Sequence, residues 1–528
     1  MDKLMLLGDE AVAQAALDAG ISGIYAYPGT PSTEIMEYVQ RSRKAADENV
    51  FCQWSANEKT AMEAALGMSY TGKRSMVCMK HVGLNVAADA FMNSAITGIN
   101  GGFIVTVADD PSMHSSQNEQ DSRFYGKFAM IPILEPSNQQ EIYDMVFYGF
   151  ELSERYKVPV MMRFTTRLAH SRSAVKRGGS LKQKKLALPS DPKQFILLPA
   201  IARQRYKNLL SLQASLEKES ENSRFNKLFD GPDKSTGFIA CGLAYNYLRE
   251  VVSENSLDNP ILKITHYPLP LAMIKKISSE CDRLIILEDG YPLVEEMLRG
   301  YPENDKRIMG RLDGTLPRDG ELNPDHVAGA AGFDVKQGPV PPPVVKNRPP
   351  SLCKGCGHID MFNALKEIID EYGPGRVFSD IGCYTLGALP PFNAINSCVD
   401  MGASVTMAKG AADAGLHPSI CVIGDSTFTH SGMTGLLDAV NDQSSVTIII
   451  ADNVTTGMTG GQKSSAAGRI ENICNGIGVK SSHIRVINPL KKYHNENVAL
   501  IKEEIDYRGV SVIIARRECI QAMKKKRK

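Results

Sequence analysis

The sequence predicts a multidomain α/β protein built on parallel sheets. Its 528 residues are too many for one hydrophobic core, so about three domains are expected. Short apolar strands alternate with helix-like segments, which is typical of a parallel sheet covered on both faces. Apolar residues make up 43% of the chain, enough for large buried cores.

Residues 1–165 are predicted to form the first α/β domain. Its elements are, in order, a helix at 10–19, a strand at 24–27, the turn Pro28-Gly29-Thr30-Pro31, a helix from Ser32 and a strand at 102–107. A basic and polar interdomain segment follows at 166–235, helical near 200–216. Residues 236–335 form a second α/β domain, with strands at 237–241 and 283–287. A linker at 336–350, with six prolines between Gly338 and Pro350, precedes the third α/β domain at 351–528.

Composition excludes several classes of partner. The chain has 60 basic and 59 acidic side chains, so no nucleic-acid partner is expected. No apolar run approaches the roughly 20 residues that span a bilayer, and the amino end is too short and too acidic for a secretory signal. A cytoplasmic location is therefore expected, with the basic end 524–528 as a solvated tail. Eleven cysteines in such a protein predict buried thiols or metal ligands rather than disulfides.

Two polar motifs follow predicted strands in the third domain. Gly424-Asp425-Ser426 comes after the strand 419–423, and Asn453 comes after the strand 446–450. The carboxyl ends of parallel strands share one sheet edge, and carboxylate and amide oxygens suit Mg²⁺. The motifs therefore predict a magnesium site, although polar caps on two buried turns would explain the same residues.

A glutamate in the first domain precedes a helix rich in small residues. Glu58 lies in Asn57-Glu58-Lys59-Thr60-Ala61, just after Trp54. An acidic residue at a helix start is often only a favourable charge near the positive end of the helix dipole. Alternatively, Glu58 is the carboxylic acid of an active site.

Three cysteines are spaced like ligands of a soft metal centre. Cys353 and Cys356 form a C-x-x-C pair, and Cys383 follows in Gly382-Cys383-Tyr384. Thiolates at this spacing suit a [4Fe–4S] cluster or zinc, and a redox dithiol or unligated thiols are further possibilities. Cys519 is the preferred fourth ligand over Cys474 and Cys398, because it follows the strand 510–514 and so returns to the sheet edge.

Polar turns in the first domain contain candidate substrate residues. Thr30 lies at a strand-to-helix turn, where backbone amides and a hydroxyl can hold an anion or simply cap the next helix. His81 and His114 lie in polar turns that follow strands. If these loops share the sheet edge with Glu58, they line an active site; otherwise they face water.

Together these segments resemble the 2-oxoacid:ferredoxin oxidoreductases, in particular the large subunit of the indolepyruvate enzymes. The matching segments are 27–32, 79–89, 110–121, 380–387 and 456–462, and the resemblance covers nearly the whole chain. The Gly-Asp and Asn motifs are similar to those that bind the diphosphate of thiamine diphosphate, with Ser426 in place of the usual second glycine and Asp452-Asn453 in place of Asn-Asn.

The resemblance implies a thiamine diphosphate-binding fold: two parallel-sheet cofactor domains and a transketolase-C-like α/β domain at 236–335. It implies that Glu58 contacts the aminopyrimidine ring and that Mg²⁺ binds Asp425, Asn453 and the carbonyl of Thr455. Gly382, Cys383, Gly424 and Ser426 would border the cofactor. One [4Fe–4S] cluster would bind Cys353, Cys356, Cys383 and Cys519, and Thr30, His81 and His114 would face the substrate.

The implied reaction converts aryl 2-oxo acids and coenzyme A to acyl-CoA, with electrons passed to ferredoxin. Large subunits of this family often continue into a ferredoxin-like domain with two more cluster motifs, which the 528 residues lack, so a single cluster is expected. A smaller subunit with the family's gamma-like domain is the expected partner, in a heteromer with a homodimeric core. The alternatives are a non-oxidative thiamine diphosphate decarboxylase or synthase, another 2-oxoacid ferredoxin oxidoreductase, and a non-catalytic scaffold subunit.

Overall fold

The computed structural model describes residues 3–191, 193–299, 307–335, 338, 340, 342–346 and 350–526. The chain divides into two compact units, Met1–Pro339 and Val340–Lys528. Parts of the predicted linker at 336–350 and of the predicted basic tail at 524–528 lie outside the described residues.

The larger unit contains three sheets. Its strands are β1 (Lys3–Leu7), β2 (Gly23–Ala26), β3 (Phe51–Trp54), β4 (Ser75–Lys80), β5 (Phe103–Asp109), β6 (Ile133–Leu134), β7 (Val160–Thr165), β8 (Arg172–Lys176), β9 (Lys227–Phe229), β10 (Gly237–Cys241), β11 (Ile261–Ile264), β12 (His266–Tyr267), β13 (Arg283–Leu287) and β14 (Arg307–Met309). The main sheet has the order β12-β6-β7-β5-β4-β2-β3 and is parallel except at the β12 edge. A second sheet has the order β14-β13-β10-β11-β9, and β1 pairs with β8.

Helices cover the main sheet on both faces, and its central strands β4, β5 and β7 are buried at every position. Along β4, Met76 and Cys78 belong to one buried cluster, whereas Val77 and Met79 belong to another. Alternate side chains of a strand point to opposite faces, so both faces of this sheet are buried. The helices of this unit are α1 (Gly8–Asp18), α2 (Thr33–Arg41), α3 (Arg43–Asp47), α4 (Glu58–Tyr70), α5 (His81–Thr97), α6 (Arg123–Ala129), α7 (Gln139–Tyr156), α8 (Thr166–His170), α9 (Pro199–Glu221), α10 (Ala244–Asn255), α11 (Leu271–Glu280), α12 (Leu293–Arg299) and α13 (Pro324–Ala330).

The smaller unit is built on one six-stranded parallel sheet. Its strands are β15 (Val377–Ser379), β16 (Ser397–Cys398), β17 (Ile420–Gly424), β18 (Val446–Asp452), β19 (Thr455–Thr456), β20 (Gln462–Lys463), β21 (Ile484–Ile487) and β22 (Val510–Arg516). The order in the sheet is β16-β15-β17-β18-β22-β21, and β19 pairs separately with β20. The helices are α14 (Gly357–Tyr372), α15 (Ala403–Asp413), α16 (Asp425–Thr427), α17 (Met433–Asn441), α18 (Ile470–Ile477), α19 (His494–Asp506) and α20 (Ile520–Lys526).

The predicted elements correspond closely to the observed ones. The strands predicted at 237–241 and 283–287 are β10 and β13, and the helix predicted near 200–216 is part of α9. The segment 166–235 also contributes β8 and β9, which pair with β1 and β11. β12 adds to the main sheet although it lies in the predicted second domain. The five-segment domain division itself stays a prediction.

Candidate functional site

The order of strands in the smaller unit defines one place where a ligand can enter between loops. From β15 the chain moves to β16 on one side, and β17 and β18 then lie on the other side. The loops after β15 and β17 therefore diverge, and such a switch point at the carboxyl ends of strands is where α/β sheets bind ligands. Asp380 follows β15 and Asp425 follows β17, so two predicted motifs flank this point.

Asp425 is buried at the switch point and carries an unsatisfied oxygen. Its side chain is 2% exposed, and its Oδ2 atom lacks a hydrogen-bond partner among the described residues. The pKa of this carboxyl is raised to about 7, because burial and the nearby Asp452 outweigh a hydrogen bond with Ser464 that lowers it. A buried carboxylate oxygen with no donor fits a divalent cation, because a cation supplies the missing positive charge.

The second motif forms a tight turn directly after β18. The Thr455 amide donates to Asn453 Oδ1 at 3.0 Å, and Val454 between them has φ 62°. A β-branched residue in the left-handed region costs about 1–3 kcal/mol, a strain found mainly at functional sites. The Asn453 amide also lies 3.4 Å from Nε2 of His358, a buried imidazole whose pKa burial lowers to about 4. Asn453 is thus held in place from two sides.

Two glycines at the switch point are required by one tyrosine ring. A Cβ atom on Gly424 would lie 2.6 Å from the Tyr384 ring, and one on Gly382 would lie 2.3 Å from it. The Tyr384 hydroxyl donates to the buried carboxylate of Asp380, which also accepts from the Ser404 hydroxyl and, at 3.2 Å, from the Gly402 amide. Tyr384 therefore fixes the spacing between the two loops.

The structure brings the four predicted cluster cysteines together. Burial raises the pKa of Cys383 to about 12, and the nearby Cys356, Cys519 and Cys353 contribute to that rise. Burial is also the largest cause of the raised pKa of Cys356, and the nearby Cys353 and Cys519 raise that pKa as well. Cys353, Cys356 and Cys519 therefore all lie within electrostatic reach of Cys383, and the raised pKa values of Cys356 and Cys383 favour a cation as the partner of these two thiols.

The thiol group adjoins the Asn453 turn. The Cys519 amide donates to the Asn453 carbonyl at 3.1 Å, and a Cβ on Gly457 would lie 3.1 Å from Cys383 Sγ. The alternative ligands lie elsewhere: Cys398 is 3.7 Å from the Asp380 carbonyl, and Cys474 interacts with Glu471. Four soft thiols in this neighbourhood suit a [4Fe–4S] cluster, whereas among the described residues no three of these sulfurs lie within 4.8 Å of one another, as one zinc ion would require.

In the larger unit, Glu58 is buried at the carboxyl edge of the main sheet. It is the first residue of α4, 5% exposed, and Asn57 caps the helix by accepting from the Thr60 amide at 2.8 Å. A Cβ on Gly83 would lie 2.7 Å from Glu58 Oε1, so helix α5 approaches the carboxyl as closely as a glycine permits. A merely dipole-compensating glutamate would more often be solvated.

Three further residues meet at this edge. Burial lowers the pKa of Lys80 to about 8, while Asp110 and Glu58 oppose that shift, so Lys80 lies within electrostatic reach of Glu58. Its ammonium donates to the Ser115 carbonyl at 3.0 Å, and the Ser115 hydroxyl donates to the Thr30 carbonyl at 3.1 Å. The N-cap of α2 is Ser32, so the alternative that Thr30 caps this helix is wrong.

The two candidate histidines have different surroundings. His81 is 1% exposed, its Nε2 lies 3.2 Å from the Asn118 carbonyl, and burial lowers its pKa. His81 Nδ1 has no hydrogen-bond partner among the described residues. His114 is half exposed and lies 2.5 Å from Glu321, which also accepts from Arg167. The structure therefore places His81 beside Lys80 and turns His114 toward Glu321.

Sequence reasoning gave no role to several residues of these sites. Lys80 and Tyr384 lie inside the segments 79–89 and 380–387, and His358 follows Cys356 by two residues, but the sequence alone predicts no function for them. For Tyr384, the i, i+4 spacing from Asp380 is the sequence feature that could have indicated their hydrogen bond. Most of the buried ion pairs of Arg123 and Arg163 cannot be predicted from the sequence, because the partners Asp109, Glu135 and Glu288 are distant along the chain.

Known proteins match both sites. Residues 14–198 match the family described as "Pyruvate flavodoxin/ferredoxin oxidoreductase, thiamine diP-bdg", and residues 380–515 match "Thiamine pyrophosphate enzyme, C-terminal TPP binding domain". The indolepyruvate oxidoreductase subunit IorA of Archaeoglobus fulgidus is 38% identical, over 98% of this chain and 86% of its own length. The corresponding subunit of Methanothermobacter thermautotrophicus is 36% identical, with matches covering 98% of this chain and 87% of its own length. That of Pyrococcus abyssi is 37% identical, with matches covering 98% of this chain and 86% of its own length.

The chain belongs to the IorA family of indolepyruvate oxidoreductase subunits. The resemblance seen in the sequence and the predicted thiamine diphosphate-binding fold are thereby confirmed, as is the prediction of an oxidoreductase. A 2-oxoglutarate:ferredoxin oxidoreductase from Magnetococcus marinus, solved with 2-oxoglutarate, coenzyme A and succinyl-CoA bound, shares the fold. Its TM-score is 0.51 at 17% identity, over 62% of this chain and 65% of that chain. Among the described residues, no helix combines the length and apolar character needed to cross a membrane.

Proposed function

We propose that this IorA-family chain is the thiamine diphosphate-binding subunit of an enzyme that oxidatively decarboxylates aryl 2-oxo acids such as indolepyruvate. Coenzyme A would take the acyl group and ferredoxin the electrons. One observation carries the oxidative part: four thiols gather beside the Asn453 turn. A non-oxidative decarboxylase with the same cofactor has no use for them.

Residues of the smaller unit are suited to the diphosphate and its cation. Asp425, with its unsatisfied oxygen, Asn453 and the carbonyl of Thr455 would hold Mg²⁺. Gly424, Ser426, Gly382 and Cys383 border the same switch point. When bound, thiamine diphosphate supplies the electron sink that decarboxylation of a 2-oxo acid requires.

Residues of the larger unit are suited to proton transfer and substrate binding. Glu58 would exchange a proton with the aminopyrimidine ring, and its burial keeps water from that proton. Thr30 and Lys80 would bind the substrate carboxylate as a hydroxyl donor and a cation. His81, held by the Asn118 carbonyl, would face the substrate as a neutral imidazole. His114 is proposed at the rim of the same loop.

The electrons require a carrier and a partner. Each turnover converts a 2-oxo acid and coenzyme A to acyl-CoA, CO2, one proton and two electrons. Cys353, Cys356, Cys383 and Cys519 would hold one [4Fe–4S] cluster that accepts these electrons singly. A smaller subunit with a gamma-like domain would complete the enzyme around a homodimeric core. We place it in the cytoplasm, where free thiols persist, and all eleven cysteines here are free.

An anaerobic dye assay tests this function. The chain is co-expressed with its smaller subunit and supplied with thiamine diphosphate, Mg²⁺, coenzyme A and a panel of 2-oxo acids. The proposal expects viologen reduction that depends on coenzyme A and is fastest with indolepyruvate or phenylpyruvate. Release of CO2 without dye reduction would contradict it and indicate a non-oxidative decarboxylase.

A further inference from the structure

Three potential metal ligands meet at helix ends in the larger unit, on residues that the proposed function does not use. Asp9 lies in the first turn of α1, Glu34 in the first turn of α2, and His170 is the last residue of α8. One ligand atom of each lies within 4.8 Å of the others. Ligands about 2.0–2.2 Å from an ion can be up to about 4.4 Å apart. A movement of the side chains by a few tenths of an ångström would therefore bring all three ligand atoms within binding distance of one ion.

Asp9 is the decisive member of this group. Its side chain is fully buried, and neither carboxylate oxygen has a hydrogen-bond donor among the described residues. The carboxylate of Glu34 lies close enough to share a proton with Asp9, and burial, the Glu34 charge and that shared proton all raise the pKa of Asp9. A buried carboxylate without a donor destabilises the fold unless a proton or a cation neutralises it.

Helix dipoles do not account for this arrangement. Acidic residues are common in first helical turns, but they stay near water, where the helix dipole stabilises them only weakly. The neighbouring acids follow that pattern and have cations: Glu10 lies 3.4 Å from Arg172, and Glu37 lies 2.7 Å from Arg41. Glu34 instead has His170 Nε2 at 3.6 Å, an imidazole that can bind a metal as well as an acid.

We propose that Asp9, Glu34 and His170 bind one divalent transition-metal cation of the Mn²⁺ or Zn²⁺ class. Two carboxylates supply the charge and the imidazole selects against Mg²⁺ and Ca²⁺, which prefer oxygen ligands alone. A cavity of about 320 Å³ borders Glu34 and is lined also by Glu10, Glu37, Tyr38, Arg41 and Ser42. The cavity brings solvent to Glu34, whereas Asp9 and His170 do not line it.

Counting bound Mn²⁺ tests the site. The purified full chain is titrated with Mn²⁺ in excess Mg²⁺, which occupies sites made only of oxygen, and free Mn²⁺ is measured by electron paramagnetic resonance. Thiolates are poor ligands for Mn²⁺, so the cysteine group does not interfere. We expect about one Mn²⁺ per chain, bound at least tenfold more weakly in His170→Ala and in Glu34→Gln.

The controls separate this site from its surroundings. Glu37→Gln changes an acid that lines the same cavity outside the ligand group, and it should keep the wild-type affinity. Asp425→Asn alters the proposed magnesium site and should also bind Mn²⁺ with the wild-type affinity. The Mn²⁺ result is therefore independent of whether the proposed function is correct. His170 is partly exposed, so His170→Ala should not unfold the chain. Mn²⁺ binding by this variant with the wild-type affinity would overturn the proposal. A proton shared between Asp9 and Glu34 would then explain how the two acids lie together.

Discussion

At the scale of single residues, the proposed sites depend on acids held away from water. Asp425 and Glu58 are 2% and 5% exposed, and each sits at the start of a helix that follows a strand. Their positions could be predicted from the sequence, because polar residues directly after apolar strands lie at one sheet edge. Their burial could not, since it depends on Tyr384 and Gly83, which approach from other parts of the chain.

Mg²⁺ and thiamine diphosphate should bind more weakly as the pH falls below 7. Burial raises the pKa of Asp425 from 3.8 to about 7, so at lower pH a bound cation must displace a proton. The affinity should fall by up to about tenfold per pH unit below 7 and level off above it. Calorimetry in two buffers of different ionisation enthalpy should detect proton release near pH 6, and Asp425→Asn should abolish this component. Equal proton release in the variant would contradict the assignment.

The raised pKa of Asp425 also determines how the stability of the unliganded chain changes with pH. The folded chain holds the Asp425 proton more tightly than the unfolded chain does. The free energy of unfolding should therefore decrease as the pH rises from about 4 to 7, and the Asp425 contribution should then level off. Urea unfolding of Asp425→Asn beside the wild type, across that range, checks the slope. A contribution of the opposite sign would show that Asp425 is ionised in the unliganded fold.

Gly424→Ala should disturb the switch point. Its Cβ would lie 2.6 Å from the Tyr384 ring, and such overpacking costs about 1–3 kcal/mol of the free energy of unfolding. Gly410→Ala in α15 is the matched control, because nothing lies within 4 Å of its Cβ, and it should gain about 0.5–1 kcal/mol. Urea unfolding of the two variants measures the difference, and equal stabilities would contradict the packing account.

Glu58→Gln should abolish most of the activity while leaving the fold intact. General acid–base groups contribute about 10²–10⁴-fold to rates. Glu63→Gln is the control, because Glu63 lies on the same helix but faces water, where it pairs with Lys59. Initial rates of 2-oxo acid-dependent dye reduction provide the measurement. If both variants lost activity equally, Glu58 would have only a structural role.

At the scale of elements, strands were the most predictable part of the chain. The apolar runs before Asp425, Asn453 and Cys519 became β17, β18 and β22, which lie side by side in one parallel sheet. A parallel sheet aligns the carboxyl ends of its strands, and so it gathers motifs that are far apart in sequence. The turn at Val454 and the edge strand β12 could not be predicted, because tertiary contacts rather than local preference determine them.

Replacing the gathered cysteines one at a time should distinguish ligands from other thiols. Serine at Cys353, Cys356, Cys383 or Cys519 should lower the iron content of anaerobically purified chain, since each thiol interacts with its neighbours in this group. Cys398→Ser and Cys474→Ser should keep the wild-type iron content. Iron analysis and visible absorption measure the result. Stoichiometric zinc in place of iron would contradict the cluster.

At the scale of the whole molecule, the chain consists of two units, each with its own sheets and its own candidate residues. The larger unit positions Glu58 and the smaller unit positions Asp425 and the thiols. Their order along the chain could be predicted from motifs alone. The buried charges that stabilise the larger unit could not, because Arg163 pairs with Asp109 and Glu135 across 54 and 28 residues of sequence.

The most direct test of oxidative chemistry is the ratio of electrons to CO2 in one anaerobic vessel. Labelled indolepyruvate is supplied with coenzyme A and a one-electron dye to the chain and its smaller subunit, and reduced dye and CO2 are counted together. The account predicts about two reduced dye molecules for each CO2, since the electrons must leave through the protein. CO2 released with an unreduced dye would contradict it.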